Sequence, residues 1–201
     1  MFKHFKEKLA KEKPIVIGIC GRSCSGKSRV TRKIAEKYSD KITRIPLDRF
    51  FLIYNTKELD ETDGWESPNS VRWDRFIRSV KKLKNGESTH IPSKGWTEVF
   101  DQKVYPKKII LVEGYLIYTN KELLELFDKK IFVEVSDLNI LYRRTLRDGV
   151  IDGMNYTMRK VIPISKRYED KQKNEADTII DGNKSKDDLL NDFEKIIKGF
   201  L

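Results

Sequence analysis

Residues 21 to 28 read GRSCSGKS, a spacing of glycines, lysine and serine that can hold a chain of phosphates. Gly21 and Gly26 permit a tight turn and a close backbone approach, so loop N–H groups can converge on phosphate oxygens. Lys27 can reach the terminal phosphates, and Ser28 can offer its hydroxyl to Mg²⁺. The competing interpretation is a glycine-rich turn that binds no ligand.

The elements on either side of this loop support the phosphate-binding interpretation. Residues 15 to 20 read IVIGIC, a β-branched run that predicts a strand buried on both faces. Val30 and Ile34 then recur at helical spacing within a helix predicted over residues 28 to 38. A buried strand, a loop and a helix in this order bring the helix N-terminus to the phosphate.

Two acidic residues follow predicted strands at the edge where the phosphate loop should lie. Asp48 follows a strand over residues 42 to 47, and Glu113 follows one over residues 109 to 112. Asp48 could accept a hydroxyl proton or hold a metal, and Glu113 could approach Mg²⁺ directly or through water. A turn cap at Asp48 and an ordinary strand-end acid at Glu113 are the alternatives.

A cluster of arginines marks a third candidate feature. A helix predicted from Asp137 to about Arg147 carries Arg143, Arg144 and Arg147, with Asp148 beside them. Residues 143 and 147 lie four apart on one face, so two guanidinium groups could cover a transferring phosphoryl group. A solvated basic face is the competing interpretation.

The remaining apolar segments alternate between strand and helix patterns. Further strands are predicted over residues 131 to 135 and 178 to 180. Further helices are predicted over residues 71 to 83, over residues 120 to 127 and from Ser185 onward. A polar segment lies between Arg147 and Thr178. Parallel strands need crossover helices, so this alternation predicts an α/β sandwich with a mainly parallel sheet. No linker or repeat divides the 201 residues, and one domain over 1 to 201 is expected.

Composition narrows the functional classes. Lys and Arg total 41 against 31 Asp and Glu, which gives a net charge of +10 and favours a polyanionic or phosphorylated partner. No apolar run reaches the roughly 20 residues that span a bilayer. Residues 1 to 14 predict a basic N-terminal helix that is too polar for a signal peptide. The two cysteines fit neither a disulfide scaffold nor a zinc site, and a cytoplasmic location is expected.

Several further segments resemble one family in both order and spacing. They are LDRFF at 47 to 51, WESP at 65 to 68, LVEGYLIY at 111 to 118, FDKKIFVEV at 127 to 135, RRTLRD at 143 to 148 and ADTII at 176 to 180. With GRSCSGKS they resemble the uridine kinase-like group of P-loop kinases, which includes nicotinamide riboside, pantothenate and phosphoribulose kinases. The resemblance spans most of the chain.

This resemblance implies a P-loop NTPase fold, a three-layer α/β sandwich with a mainly parallel sheet and a helical lid over about residues 137 to 160. It implies transfer of the γ-phosphate of ATP, with Mg²⁺, to a hydroxyl of a small molecule, foremost the 5′-hydroxyl of a ribonucleoside. Asp48 resembles the catalytic base, and Glu113 with Ser28 resembles the magnesium environment. The implied catalytic residues are Asp48, Lys27, Arg144 and Arg147, and the implied ATP-binding residues are Gly21, Ser23, Ser25, Gly26, Lys27 and Ser28.

The acceptor region departs from the uridine kinases. Glu66 falls where they carry an Asp that accepts hydrogen bonds from ribose hydroxyls. Trp96 lies where they carry aromatic and histidine residues for the pyrimidine, and it could stack on a base or belong to the core. With Trp65 these residues would form an acidic, aromatic pocket that also suits the cationic acceptor of nicotinamide riboside kinases.

Two other functional classes remain open. The charge and the phosphate loop could belong to a nucleic-acid-associated NTPase, but aromatic-rich RNA-binding signatures and a basic helix-turn-helix are lacking, so nucleic acid is not expected as a partner. A nucleotide-binding regulatory module without catalysis is the third hypothesis. A homo-oligomer is compatible with each class. His4 and His90 are expected at the surface, and Cys24 is either a reactive thiol or an inert small side chain.

Overall fold

The computed structural model describes residues 13–52, 63–95 and 99–201. Trp96 therefore lies outside the described residues. So do His4 and the rest of the predicted N-terminal helix, except for its last two positions. The strands are β1 (Ile15–Gly21), β2 (Ile42–Pro46), β3 (Thr89–Ile91), β4 (Gln102–Val104), β5 (Ile109–Gly114), β6 (Lys129–Glu134) and β7 (Thr178–Asp181). The α-helices are α1 (Lys27–Lys37), α2 (Trp73–Lys84), α3 (Lys121–Leu124), α4 (Asp137–Asp148), α5 (Ile151–Tyr156), α6 (Ile162–Asn174) and α7 (Lys186–Lys198).

Five strands form a parallel sheet in the order β2-β5-β1-β6-β7. Strand β1 lies at its centre because it is apolar on both faces, as its sequence predicts. Register places Pro46 of β2 beside Glu113, and Cys20 of β1 beside Gly114. The carboxyl ends of β1, β2 and β5 thus meet at one edge of the sheet.

Helices cover both faces of this sheet, so the predicted three-layer sandwich is confirmed. Alternate residues of β1 enter separate cores, because successive strand side chains point to opposite faces. Val16 and Cys20 pack with α2, whereas Ile17 and Ile19 pack with α1 and α7. Phe193 of α7 is fully buried in the second core.

The five strands of the parallel sheet and most helices match the sequence expectations within a few residues. The antiparallel pair of β3 and β4 was not predicted from the sequence, and two further segments differ. The helix predicted over residues 120 to 127 is only the single turn α3, capped by Asn120, and Phe127 beyond it packs against Gly18. The polar segment expected between Arg147 and Thr178 is helical: α5, a π-helical turn over Thr157–Val161 and α6 follow one another. These helices were not predicted from the residue pattern because only a few of their residues are buried, so the segment has only a weak amphipathic pattern.

Helix α6 is attached to the central sheet by a buried amide. Gln172 donates from Nε2 to the Tyr115 carbonyl at 2.9 Å and accepts from the Tyr118 N–H at 3.3 Å. The Tyr118 hydroxyl in turn contacts the Gly18 carbonyl oxygen at 2.7 Å. These contacts hold α6 over the loop that follows β5. No helix among the described residues is long and apolar enough to cross a membrane.

Replacement of Phe193 by Ala tests the second core. We expect the free energy of unfolding to fall by about 3–5 kcal/mol, because a fully buried aromatic ring is lost and a cavity remains. Denaturant titration measures the change. Leu146→Ala is the control, since Leu146 is 70% exposed and should alter stability by less than about 0.5 kcal/mol. Equal losses in the two variants would contradict the assignment of this core.

Candidate active site

The loop from Gly21 to Lys27 has a backbone that requires glycine at two positions. A Cβ on Gly21 would lie 2.6 Å from the Val133 carbonyl oxygen, and Gly26 has φ of 98° directly before α1. Cys24 also has a positive φ, 58°, although it carries a side chain. The loop therefore bends sharply into the N-terminus of α1, where backbone N–H groups favour an anion.

The loop that follows β7 packs closely against the backbone of the phosphate loop. A Cβ on Gly182, after β7, would lie 2.7 Å from the Ser25 carbonyl oxygen and 2.7 Å from that of Glu134. Ser25 itself is fully buried. Gly182 belongs to none of the sequence motifs described above. Its signal is a glycine directly after the last short strand, at a point where backbones meet.

Lys27 and Ser28 begin α1 at the same sheet edge. The Lys27 ammonium donates to the Arg22 carbonyl at 3.4 Å, and the side chain is 7% exposed. Ser28 Oγ donates to Glu113 Oε2 at 2.8 Å. The predicted proximity of the phosphate loop and the acid at the end of β5 is therefore realised by a direct hydrogen bond.

Glu113 is a buried carboxylate with both oxygens engaged. Besides Ser28, it accepts a hydrogen bond from Arg44 Nη2 on β2, and Arg44 Nε donates to Thr31 Oγ1 at 3.0 Å. Burial raises the pKa of Glu113, the charge of Asp48 raises it further, and Arg44 opposes both. Arg44 was missed by the sequence analysis because it sits mid-strand, where an isolated arginine carries no motif.

Asp48 is exposed at the mouth of the site, in a 3₁₀ turn over Leu47–Phe50 that follows β2. The core holds this turn in place, since its residues Leu47 and Phe50 are fully buried. Phe50 meets the Phe76 ring edge-on at a centroid distance of 4.9 Å. The negative charge of Asp48 acts on both Glu66 and Glu113, so the three carboxyl groups share one site.

Glu66 is buried in the short turn Gly64–Glu66, which the Tyr115 hydroxyl holds by donating to the Trp65 carbonyl. Its Oε2 is buried without a hydrogen-bond partner among the described residues. Burial raises the pKa of Glu66 to about 7, and the positive charges of Arg144 and Lys27 limit the rise. A buried carboxyl oxygen of this kind is a free acceptor for a ligand hydroxyl.

The three arginines of α4 have different partners. Arg143 donates to the carbonyls of Cys24 and Gly182, both at 2.9 Å, and so joins the two loops. Arg144 donates to Ser23 Oγ at 2.9 Å. Arg147 is half-exposed and pairs with the neighbouring Asp148 at 2.6 Å. The structure thus brings Arg143 and Arg144 to the phosphate loop.

Arg144 is further fixed by the segment that follows α4. Its Nε donates to Thr157 Oγ1 at 3.0 Å, and its guanidinium lies 5.6 Å from the Tyr156 ring centroid. Asp148 completes the set at 3.1 Å from Arg144 Nη2. Thr157 is the first residue of the π-helical turn. Such turns are frequent at functional sites.

The donor set at this edge fits a magnesium ion. Ser28 and Glu113 supply a hydroxyl and a carboxylate 2.8 Å apart, and Mg²⁺ prefers oxygen ligands. Within residues 13–52, 63–95 and 99–201, no three His, Cys, Asp or Glu residues cluster in a way that could hold a metal alone. Mg²⁺ usually completes its shell with water and substrate phosphates, which agrees with so few protein ligands.

A parallel sheet, a glycine loop entering a helix and acids at the adjoining strand ends define a P-loop protein of the kinase type. The chain belongs to the phosphoribulokinase/uridine kinase family, whose model matches residues 16–190. The resemblance noted in the sequence is thereby confirmed.

Similar proteins agree with this membership. A uridine kinase of Chlamydia pneumoniae is 30% identical over 93% of this chain and 90% of its own length. A uridine kinase of Streptococcus pneumoniae is 30% identical over 84% of this chain and 85% of its own. A shikimate kinase structure from Acinetobacter baumannii shares the fold at a TM-score of 0.57, with 16% identity over 94% of this chain and 96% of that one.

Removal of Arg44 tests the buried pair with Glu113. We expect Arg44→Met to lower the free energy of unfolding by about 3–5 kcal/mol at pH 8, because a buried charge loses its partner. The loss should shrink toward pH 5. Glu113 has a raised pKa in the folded state, so its burial costs least where the carboxyl can be protonated.

The double variant Arg44→Met/Glu113→Gln provides the control for this measurement. It removes both charges, so stability should partly recover and lose the added pH dependence. Denaturant titrations at the two pH values give both results. A loss in Arg44→Met that is independent of pH, or no recovery in the double variant, would contradict the pairing.

Proposed function

We propose that this chain is an ATP-dependent kinase that transfers the γ-phosphate to the 5′-hydroxyl of a ribonucleoside, uridine or cytidine foremost. One observation carries the acceptor class. Glu66 places a buried oxygen, which has no hydrogen-bond partner among the described residues, beside Asp48 and the phosphate loop, where a vicinal diol could donate to it. The similarity to uridine kinases over most of the chain supports the same acceptor. We also propose one domain over residues 1 to 201.

The proposed chemistry assigns few groups to the transfer. Asp48 takes the proton of the attacking hydroxyl, for which an exposed carboxylate at the mouth of the site is suited. Lys27 and Arg144 stabilise the negative charge on the phosphoryl oxygens from the loop and from α4. Arg147 joins them by exchanging Asp148 for phosphate. Most of the rate gain then comes from positioning.

The nucleotide and its metal would occupy the loop. The N–H groups of the segment that contains Gly21, Ser23, Ser25 and Gly26 would bind the phosphates, and Ser28 with Glu113 would hold Mg²⁺. When bound, Mg²⁺ neutralises charge on the phosphate oxygens. Arg44 keeps the Glu113 carboxylate oriented toward Ser28 throughout.

A panel of acceptors with ATP and Mg²⁺, with products identified by mass, tests the function. Uridine and cytidine should be phosphorylated. Nicotinamide riboside is the second acceptor of interest because Glu66, when ionised, would favour a cationic base. A chain that turned over ATP only with RNA or DNA, or that bound ATP and phosphorylated no acceptor, would overturn the proposal in favour of the other two classes.

Replacement of Asp48 by Asn tests the proposed base. The amide cannot accept the proton, so kcat should fall by roughly 10²–10⁴-fold while the KM for ATP stays near that of the wild type. Lys27→Ala should also abolish transfer, but with weaker ATP binding. Asp74→Asn, at an exposed position of α2, is the matched control and should retain full activity. Wild-type turnover in Asp48→Asn would rule out this base.

Acceptor binding should depend on pH through Glu66. The ionised carboxylate is the better hydrogen-bond acceptor, and its pKa of about 7 means that ionisation is lost as the pH falls from 8 to 6. The Kd for the acceptor, measured by calorimetry without ATP, should therefore rise about tenfold over this interval. Glu66→Gln cannot titrate and should give a flat profile. An unchanged slope in that variant would exclude Glu66 as the acceptor contact.

A further inference from the structure

Arg22, the second residue of the phosphate loop, is a charged side chain that is only 4% exposed. Its guanidinium meets three side chains from two helices. Nε donates to Ser165 Oγ at 3.0 Å, and Nη1 lies 2.7 Å from Asp137 Oδ1 and 3.1 Å from Glu169 Oε2. Asp137 begins α4, whereas Ser165 and Glu169 belong to α6. None of the motifs discussed above requires an arginine at this position.

Arg22 is one of three consecutive loop residues that contact this part of the fold. Ser23 Oγ accepts from Arg144, and the Cys24 carbonyl accepts from Arg143, as described above. Arg22 thus contributes ion pairs, whereas Ser23 and Cys24 accept hydrogen bonds from two arginines in the middle of α4. Helix α4 therefore packs directly against the phosphate loop.

The charges around Arg22 depend on it. Burial raises the pKa of Glu169, and the positive charge of Arg22 opposes that rise. Burial also acts to raise the pKa of Asp137, but hydrogen bonds from Lys166 and Arg22 outweigh it and lower the pKa. Without Arg22, the two carboxylates would repel each other, and Glu169 would lose the only ion pair that it makes in the described part of the chain.

The network is not arranged for stability alone. Arg22 Nη2 is buried without a hydrogen bond to any described residue, and the buried Asp137 Oδ1 meets Arg22 Nη1 alone, at 2.7 Å. A partly satisfied buried ion network contributes less to folding than apolar side chains of the same volume would. What it provides is direction, because a planar guanidinium fixes the relative placement of three partners.

We propose that Arg22 is a positioning residue, which holds α4 and α6 against the phosphate loop so that Arg144 is placed on the phosphates of ATP. This inference rests on the proposed function in taking ATP as the ligand of the loop and Arg144 as one of the groups that bind its phosphates. The loop would then have a second role besides phosphate binding, because it would hold in place the helix that supplies the phosphate-binding arginines.

The double variant Arg22→Met/Glu169→Gln separates positioning from stability. Arg22→Met should lower the melting temperature, because Glu169 loses its ion pair and Asp137 is left with Lys166 alone. It should also raise the Kd for Mg²⁺-ATP, measured by calorimetry without acceptor, by about tenfold. Adding Glu169→Gln removes one carboxylate, so the melting temperature should largely recover while the Kd stays raised.

Two further variants complete the comparison. Arg22→Lys keeps the charge without the fork and should show an intermediate Kd in a stably folded chain, so it tests the proposal even if Arg22→Met does not fold. Lys184→Met removes an exposed ion pair with Asp192 on α7 and should leave the Kd unchanged. Hydrogen exchange over residues 137 to 148 should be faster in both Arg22→Met variants than in the wild type.

A Kd that returns to the wild-type value together with the melting temperature would overturn the proposal, since Arg22 would then be structural only. So would wild-type ATP affinity in Arg22→Met and Arg22→Lys. Because ATP binding is measured without acceptor, these outcomes are independent of the acceptor panel. A chain that bound ATP normally but phosphorylated no nucleoside would contradict the proposed function and leave the role of Arg22 open to the same measurement.

Discussion

The hydrogen bond from Ser28 to Glu113 is the contact on which the site depends. It joins the first turn of α1 to the end of β5, and Arg44 extends it to β2. Three neighbouring elements are thereby fixed at one sheet edge by a single buried carboxylate. The cost of burying that charge is offset only while both partners remain, so the sheet register and the loop position are coupled.

The cations near the loop are engaged by the protein itself. Arg143 binds backbone carbonyls, Arg144 binds two hydroxyls and Asp148, and Arg22 binds carboxylates on two helices. Such partners hold the donors in place before a phosphate arrives, which reduces the reorganisation needed at binding. The net charge of +10 is thus less informative than its distribution. A few paired cations at the loop matter more than the many lysines on exposed helix faces.

The sequence predicted the parts of this fold that carry strong local patterns. β1 and α1 were evident from a doubly apolar run followed by helical spacing, and the loop between them from its motif. The residue pattern alone did not predict α5 and α6, because tertiary contacts, such as that of Gln172, hold them rather than a continuous apolar stripe. Arg22 and Arg44 were missed for a related reason. Their roles depend on partners more than 60 residues away in the sequence, and no local spacing of residues predicts a contact over that separation.

The π-helical turn over Thr157–Val161 has a geometric consequence for the chain. One extra residue within a helical turn rotates everything beyond it by about 100° about the axis. Thr157 contacts Arg144, and Gln172, fifteen residues later, contacts the Tyr115 carbonyl beside the sheet. A regular α-helix of this length would place the two residues about 60° apart around its axis, and the π-helical turn changes that angle. The turn thus sets the angle between the two contacts, and deleting a single residue from it would rotate one of them away from its partner.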